Sequence, residues 1–218
     1  MYKNKIEKAG GLENFLEKKE KRSAGAIIQR IRNEFKPNAK ILEVGTGTGA
    51  IGALLTKYGF NTIGIDRDSG MLSIAKQMFG LYNKSDNVFK VDALDITKFF
   101  GKDSFDCVLS HGMLEHYSDE KIIKFLNVQL EVAPLVIFDV PTNFMSSKYR
   151  AKGFGDERYL PTSYWKNLIS KNFKLKKVYG FGFKEIGLPK FTEIVLKNNK
   201  MSSLFSNFCG INEFWITR

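Results

Sequence analysis

Three glycines within five residues, Gly45, Gly47 and Gly49, are the clearest chemical signal in the sequence. They follow a short apolar run in ILEVGTGTGA, residues 41–50, and precede a stretch with helical periodicity. Glycines at a strand-to-helix turn permit a tight turn and let a ligand lie directly against the backbone. Because Gly45, Gly47 and Ala50 also satisfy the dinucleotide pattern G-x-G-x-x-G/A, the glycines alone do not choose between ligands.

Glu43 lies two residues before Gly45 and indicates which ligand to expect. A pyrophosphate at the helix N-terminus would be repelled by this carboxylate. S-adenosylmethionine carries a sulfonium and an α-ammonium but no phosphate, so a nearby carboxylate favours it. The alternative for Glu43 is a solvated carboxylate at the strand end.

Two further acids end the next two predicted strands. Asp66 lies about 20 residues beyond the glycine loop, where an acid can accept from both ribose hydroxyls. Asp92 could accept from the adenine amino group, and the N–H of Ala93 could donate to a ring nitrogen. Met71 could lie on the adenine, although a methionine there is more often core. Three acids at the carboxyl ends of consecutive strands predict a cofactor site at that edge of a sheet.

Predicted strands and helices alternate along the chain, and these elements must position the residues above. This alternation predicts a mostly parallel sheet covered on both faces, with an antiparallel edge pair formed by the last two strands. Ser69 is predicted as a helix N-cap. Strands are predicted over 40–44, 62–65, 88–91, 105–109, 135–140, 173–183 and 211–217, and helices over 12–35, 50–58, 69–79, 119–130 and 161–170.

Four segments, ILEVGTGTGAIG, IGIDRDSGMLSIAK, VFKVDALDI and FDCVLSHGMLEHY, resemble the successive motifs of class I S-adenosylmethionine-dependent methyltransferases of the small-molecule type. The resemblance covers about residues 40–140. It implies an α/β fold with a Rossmann-like, doubly wound, mostly parallel seven-stranded sheet, an antiparallel last strand and a helix over 23–35 beside the cofactor. The residues predicted to contact S-adenosylmethionine are Glu43, Gly45, Thr46, Gly47, Gly49, Asp66, Arg67, Met71, Asp92, Ala93, Ser110 and His111.

The expected organisation is one methyltransferase domain over residues 1–218. Its predicted parts are an N-terminal helical cap over 1–36, a cofactor-binding core over 40–140, a substrate or lid loop over 142–164 and the C-terminal part of the sheet over 165–218.

Both histidines of the chain lie in SHGMLEHY, after the fourth predicted strand. In the family that the sequence resembles, this position faces the transferred methyl group. His116 could therefore be a general base for a hydroxyl or ammonium nucleophile, or a group that positions the substrate. The alternative is a helix-start histidine bonded to the backbone. We expect Glu115 to be structural and His111 to line the cofactor.

The segment over 142–164 is longer than an ordinary connection and leaves the fifth predicted strand on the cofactor edge. Tyr149, Arg150 and Arg158 are its predicted substrate-binding residues. Arginine suits carboxylate or phosphate recognition, so we expect a small-molecule acceptor and consider an anionic one. Asp156 and Glu157 could instead neutralise Arg158, and a solvated surface insertion is the alternative for the whole loop.

The net charge of +11 is unevenly distributed. Residues 41–140 are net acidic and both flanks are net basic, which favours anionic partners or reflects a compositional bias towards lysine. An RNA or protein methyltransferase using the basic flanks is thus an alternative, though nucleic acid is the less favoured partner because arginine is scarce. An NAD-dependent oxidoreductase, which Glu43 disfavours, and a cofactor-binding module without catalysis also stay open.

Several absences narrow the possibilities. The sequence lacks an apolar run of the ~20 residues that cross a bilayer, and Cys107 and Cys209 show no metal-ligand spacing. A cytoplasmic protein with no membrane span and no metal is expected. No Asp/Asn-Pro-Pro-Tyr/Phe sequence follows the fourth predicted strand, which disfavours methylation of exocyclic amines of bases. The oligomeric state is not predicted.

Overall fold

A seven-stranded sheet forms the centre of the structure, a computed structural model that describes residues 2–151, 155–182 and 198–218. Its strands are β1 Lys40–Val44, β2 Asn61–Asp66, β3 Val88–Lys90, β4 Cys107–Ser110, β5 Leu135–Pro141, β6 Lys174–Phe181 and β7 Ile211–Thr217. The strand order is β3-β2-β1-β4-β5-β7-β6. Strands β1 to β5 pair in parallel, whereas β7 is antiparallel to both β5 and β6. The predicted seven-stranded sheet with an antiparallel last strand is confirmed.

The predicted edge pair is antiparallel, as expected, but only one of its strands is an edge. Strand β7 lies between β5 and β6, so β6, and not β7, is the edge strand on that side of the sheet. The predicted strand over 173–183 ends at Phe181, and residue 183 lies outside the described residues.

Helices pack along both faces of this sheet. In the described residues they are α1 Tyr2–Glu7, α2 Leu12–Glu20, α3 Ser23–Glu34, α4 Ala50–Lys57, α5 Ser69–Gly80, α6 Ile96–Phe99, α7 Asp119–Val132, α8 Ser147–Arg150, α9 Thr162–Asn172 and α10 Asn199–Leu204. This part of the chain contains no helix that is long and apolar enough to cross a membrane.

Two consecutive residues of β7 show how the sheet separates two apolar cores. Phe214 and Trp215 are both buried and point to opposite faces, as successive strand residues do. Trp215 packs with residues of α3, α4 and α5. Phe214 packs with residues of α7 and α9. Burial on both faces explains why the parallel strands read as nearly continuous apolar runs.

The prediction of one helix over 12–35 is wrong, because the chain breaks between α2 and α3. Arg22 adopts an extended backbone conformation and separates the two helices. Gly25, in the first turn of α3, permits this break, because an added Cβ there would lie 1.9 Å from the carbonyl oxygen of Glu20. Each helix buries its own apolar face, including Phe15 in α2 and Ile28 in α3.

The N-cap of α5 also differs from the prediction. Ser69 is the first residue of the helix, and the cap is Asp68, whose carboxylate accepts from the N–H groups of Gly70 at 2.7 Å and Met71 at 3.0 Å. An acid at this position satisfies two N–H groups that would otherwise lack a partner within the helix.

The carboxyl ends of the central parallel strands meet at one edge of the sheet. Val44 of β1 pairs with Ser110 of β4, and Ser110 pairs with Phe138 of β5. The connections that follow these strands therefore emerge side by side, where ligands bind in open α/β sheets.

Candidate active site

The glycine loop between β1 and α4 has a left-handed backbone. Gly45, Gly47 and Gly49 have φ values of 70°, 53° and 72°, a region that other residues rarely adopt. An added Cβ at Gly45 would lie 2.9 Å from Sδ of Met113, so the packing of Met113 leaves no room for a side chain at that position. At Gly47 the nearest atom to an added Cβ is Cε of Met71, at 3.7 Å. Gly47 thus leaves backbone uncovered, as a ligand that lies against the chain requires.

Glu43 lies in β1, just before this loop, and is not the solvated strand-end carboxylate considered as an alternative. It is 3% exposed, and its Oε2 accepts from the hydroxyl of Thr46 and from the N–H of Gly52, the latter at 3.0 Å. Burial raises the pKa of Glu43 to about 7. Glu43 is therefore placed to hold the turn, and its contact with the cofactor stays a prediction.

Asp66, at the end of β2, is tied to the same loop. Its carboxylate accepts from the N–H of Gly47 at 2.9 Å and from the N–H of Asp68 at 3.0 Å. The neighbouring strand β3 runs into Asp92, whose Oδ1 accepts from the N–H of Leu94 at 2.9 Å. The structure thus brings the uncovered backbone of Gly47 next to an acid held in place.

This arrangement suits S-adenosylmethionine. The ribose of the cofactor presents hydroxyl donors that an oriented carboxylate such as Asp66 can accept, and the exposed Asp92 lies on the adjacent strand connection. Arg67 is exposed and Ala93 is partly buried beside these acids. Their contacts with the cofactor stay predictions.

Ser110 and His111, predicted together, point to different surroundings. Ser110 is 1% exposed, and its hydroxyl donates to Oε1 of Gln129 in α7 at 3.1 Å. Its side chain therefore faces the core, and a contact with the cofactor would have to come from its backbone. The side chain of His111 instead lines a cavity at the ends of β4 and β5.

His111 forms a pair with Asp139 of β5. Its Nδ1 lies 2.5 Å from Oδ2 of Asp139, and the N–H of Gly112 donates to the other carboxylate oxygen at 2.9 Å. Because an ionised carboxylate only accepts, Nδ1 carries the proton and Nε2 is the nitrogen that can accept one. Burial opposes the charged imidazole, but attraction to Asp139 and the hydrogen bond to it outweigh burial and raise the pKa of His111.

The cavity has a volume of about 260 Å³ and is rich in acids. Three carboxyl groups line it, together with one imidazole, two tyrosines and apolar side chains. None of the described lining residues is a lysine or an arginine. The lining residues are His111, Gly112, Glu115, Asp139, Val140, Pro141, Met145, Tyr149, Glu157, Tyr159 and Ile211.

Glu115 is the most unusual of these groups. It is 6% exposed, and its Oε2 is buried with no hydrogen-bond partner among the described residues. Burial, reinforced by the negative charge of Asp139, raises the pKa of Glu115 to about 8. A buried polar atom without a partner is costly, because burial removes its hydrogen bonds to water.

His116 lies in the 3₁₀ turn Leu114–His116 and is not among the residues that line the cavity. Its Nδ1 lies 2.7 Å from Oδ1 of Asp156, in the loop after β5. His116 thus links the turn after β4 to that loop, and its role as a base stays a prediction.

The two predicted substrate arginines are both engaged by the protein itself. Arg150 donates to the carbonyl oxygens of Met145 at 2.8 Å and Asn143 at 2.5 Å. Arg158 pairs with Asp119 at 2.8 Å rather than with its acidic neighbours in sequence. Neither lines the cavity, whereas the third predicted substrate residue, Tyr149, does.

The structure also identifies cavity-lining residues that the sequence analysis did not assign to the site, namely Asp139 and, within the predicted substrate loop, Glu157 and Tyr159. Asp139 had a visible signal, since it is a carboxylate near the carboxyl end of an otherwise apolar strand, LVIFDVP. Glu157 and Tyr159 lie in a loop where no periodicity indicates which side chains turn inward.

Known sequences that resemble this chain are methyltransferases. The family model for a methyltransferase domain matches residues 41–132. The chain is 26% identical over 171 residues to the ubiquinone biosynthesis O-methyltransferase of Pelagibacter ubique strain HTCC1062, a match that covers 71% of this chain and 70% of that protein.

Solved structures share the fold. Magnesium protoporphyrin IX methyltransferase from Synechocystis PCC 6803, with bound cofactor, aligns with a TM-score of 0.61 and 13% identity over 90% of this chain and 78% of that chain. A SAM-dependent methyltransferase from Archaeoglobus fulgidus aligns with a TM-score of 0.60 and 16% identity over 92% and 97% of the two chains.

Fold and strand order define a class I, Rossmann-like methyltransferase architecture. With the matching family model and the methyltransferase relative, this makes the protein an S-adenosylmethionine-dependent methyltransferase, as its motifs predicted. S-adenosylmethionine is its cofactor, and the NAD-dependent alternative is set aside.

Proposed function

We propose that the protein transfers a methyl group to a hydroxyl oxygen of a small molecule bound in the cavity beside His111. The pair formed by His111 and Asp139 carries this proposal, because a hydroxyl nucleophile must lose a proton and the pair provides an oriented base. The O-methyltransferase relative supports oxygen as the acceptor atom.

Bound S-adenosylmethionine supplies a methyl group activated by its sulfonium. The acceptor oxygen forms the new C–O bond while its proton passes to Nε2 of His111. The bond from sulfur to this methyl group would be the one that breaks, so S-adenosylhomocysteine, a neutral thioether, would be the second product. Asp139 keeps the accepting nitrogen of His111 directed away from itself and stabilises the imidazolium that forms.

The cavity supports a small acceptor. The loop after β5 is held across it, since the N–H of Arg158 donates to the carbonyl oxygen of Glu115 at 3.0 Å and Nη1 of Arg158 donates to the carbonyl oxygen of Tyr117 at 2.8 Å. Three carboxyl groups line the walls, and none of the described lining residues is a lysine or an arginine. An anionic acceptor is therefore disfavoured, and we propose an uncharged or cationic one with an apolar part.

The test is turnover of methyl-labelled S-adenosylmethionine against a fractionated extract of small metabolites, with identification of the labelled product by mass spectrometry. A labelled methyl ether that depends on His111 supports the proposal. Label in RNA or protein instead, or label only on carbon or nitrogen, contradicts it.

A further inference from the structure

Two segments far apart in sequence bring three metal-ligating side chains together at the edge of the cavity. His116 comes from the turn after β4, and Asp156 and Glu157 come from the loop after β5. One ligand atom from each residue lies within 4.8 Å of the other two. We propose that His116, Asp156 and Glu157 bind a divalent metal ion.

The chemistry of the three groups suits such an ion. One imidazole nitrogen and two carboxylate oxygens form a mixed set that Mn²⁺, Fe²⁺ and Zn²⁺ accept, whereas Mg²⁺ prefers oxygen ligands alone. Three protein ligands leave coordination positions for water or a bound acceptor. Glu157 also lines the cavity, so those positions would lie at its edge.

Glu115 provides an independent reason to expect positive charge here. It directly precedes His116 and lines the same cavity as Glu157, and its buried Oε2 lacks a partner among the described residues. Arg158, which directly follows Glu157 in the sequence, is paired with Asp119 and does not line the cavity. A bound cation would offset the cost of burying acids together.

The present arrangement is a hydrogen-bonded cluster that has room to rearrange. His116 and Asp156 are joined at 2.7 Å, and an ion would replace that hydrogen bond with two ligand bonds of about 2.0–2.2 Å each. The side chain of Asp156 is 65% exposed, so it can make this movement. No sequence motif marks the site, because His116 and Asp156 lie 40 positions apart.

Binding of Mn²⁺ to the full chain, without cofactor or acceptor, tests the inference directly. The free Mn²⁺ signal in electron paramagnetic resonance measures bound ion, and we expect one site per chain. Glu157→Gln and His116→Gln should each weaken binding by at least about tenfold. Glu131→Gln, an exposed acid outside the cluster, is the matched control and should change nothing.

Thermal unfolding and S-adenosylmethionine binding of each variant show that it is folded. No Mn²⁺ or Zn²⁺ binding below millimolar concentration would overturn the inference, as would binding that survives both substitutions. Because the measurement needs no methyl transfer, its failure is distinct from a failure of the proposed function.

Discussion

Nδ1 of His111 lies 2.5 Å from Oδ2 of Asp139. This contact joins the connection after β4 to the C-terminal part of β5. The two residues are 28 positions apart, and the parallel pairing of β4 with β5 brings them together. The second carboxylate oxygen is held by the N–H of Gly112. The carboxylate of Asp139 is therefore held in one orientation, and its hydrogen bond to Nδ1 orients the imidazole ring of His111.

If His111 is the base, its removal should slow chemistry without loosening the cofactor. His111→Gln should lower kcat by about 10²–10⁴-fold and leave the dissociation constant of S-adenosylmethionine, measured by calorimetry, within a few-fold. Asp86→Asn, in an exposed turn, is the control. An unchanged kcat would show that His111 is not the base, so that either His116 takes this role or the reaction needs no base.

The pH dependence of turnover should report the same pair. A base must be unprotonated, so kcat/KM should rise with pH through the raised pKa of His111, above its ordinary value of 6.5. Asp139, Glu115 and Lys19 are the charged groups that act on this imidazole. Asp139→Asn removes the attraction that favours the imidazolium, so the acidic limb should move to lower pH and the plateau should fall. If the acidic limb of the pH profile of Asp139→Asn lies at the same pH as in the unchanged protein, the limb reports the titration of a group other than His111.

Cofactor affinity should depend on Asp66 and on the bare backbone of Gly47. Asp66→Ala should weaken S-adenosylmethionine binding by about 1.5–3 kcal/mol for each charge-assisted hydrogen bond lost. Gly47→Val should abolish binding, since a β-branched residue is strained at a φ of 53° and would cover the backbone. Calorimetry measures both, with Asp86→Asn as the control. Full affinity in Asp66→Ala would remove Asp66 from the site.

The sequence was sufficient for the architecture because its signals are local and repeated. The bounds predicted for β7, 211–217, are those observed, and the three glycines mark the turn after β1. The conclusion that Glu43 favours S-adenosylmethionine agrees with the comparisons, but its observed hydrogen bonds go to Thr46 in the loop and to Gly52 in the first turn of α4. A local pattern identified the residue and not the direction of its side chain.

The acceptor side was much less predictable, because long-range contacts determine it. The arginines of the loop suggested anion ligands, but Asp119 and two backbone carbonyls engage them. In the sequence, Asp139 is one polar residue in an apolar strand. Only the pairing of β4 with β5 places it beside His111.

Glu43 should make the stability of the fold depend on pH. Its pKa is raised from an ordinary 4.5 to about 7, so the folded state keeps a proton that the unfolded chain loses first. The free energy of unfolding should therefore fall by about 3 kcal/mol between pH 4.5 and pH 7 from this group, and stay level above that. In urea unfolding, Glu43→Gln, which keeps the acceptor oxygen, should make the decline shallower by this amount, whereas Glu131→Gln should leave it unchanged. Equal slopes in all three proteins would show that Glu43 is ionised when folded.

The last prediction separates a small acceptor from nucleic acid held by the basic flanks. A polyanion that contacts six to ten phosphates loses about 10³–10⁵ in affinity between 50 and 200 mM salt, because bound counterions are released on association. An uncharged acceptor enclosed by Glu115, Asp139 and Glu157 has no such contacts, so its KM should change by less than about threefold over that range. Steady-state kinetics with the labelled acceptor fraction, run beside filter binding of a generic RNA, makes the comparison. Tight, steeply salt-dependent RNA binding that S-adenosylmethionine strengthens, together with a salt-sensitive KM, would favour the nucleic-acid alternative over the cavity.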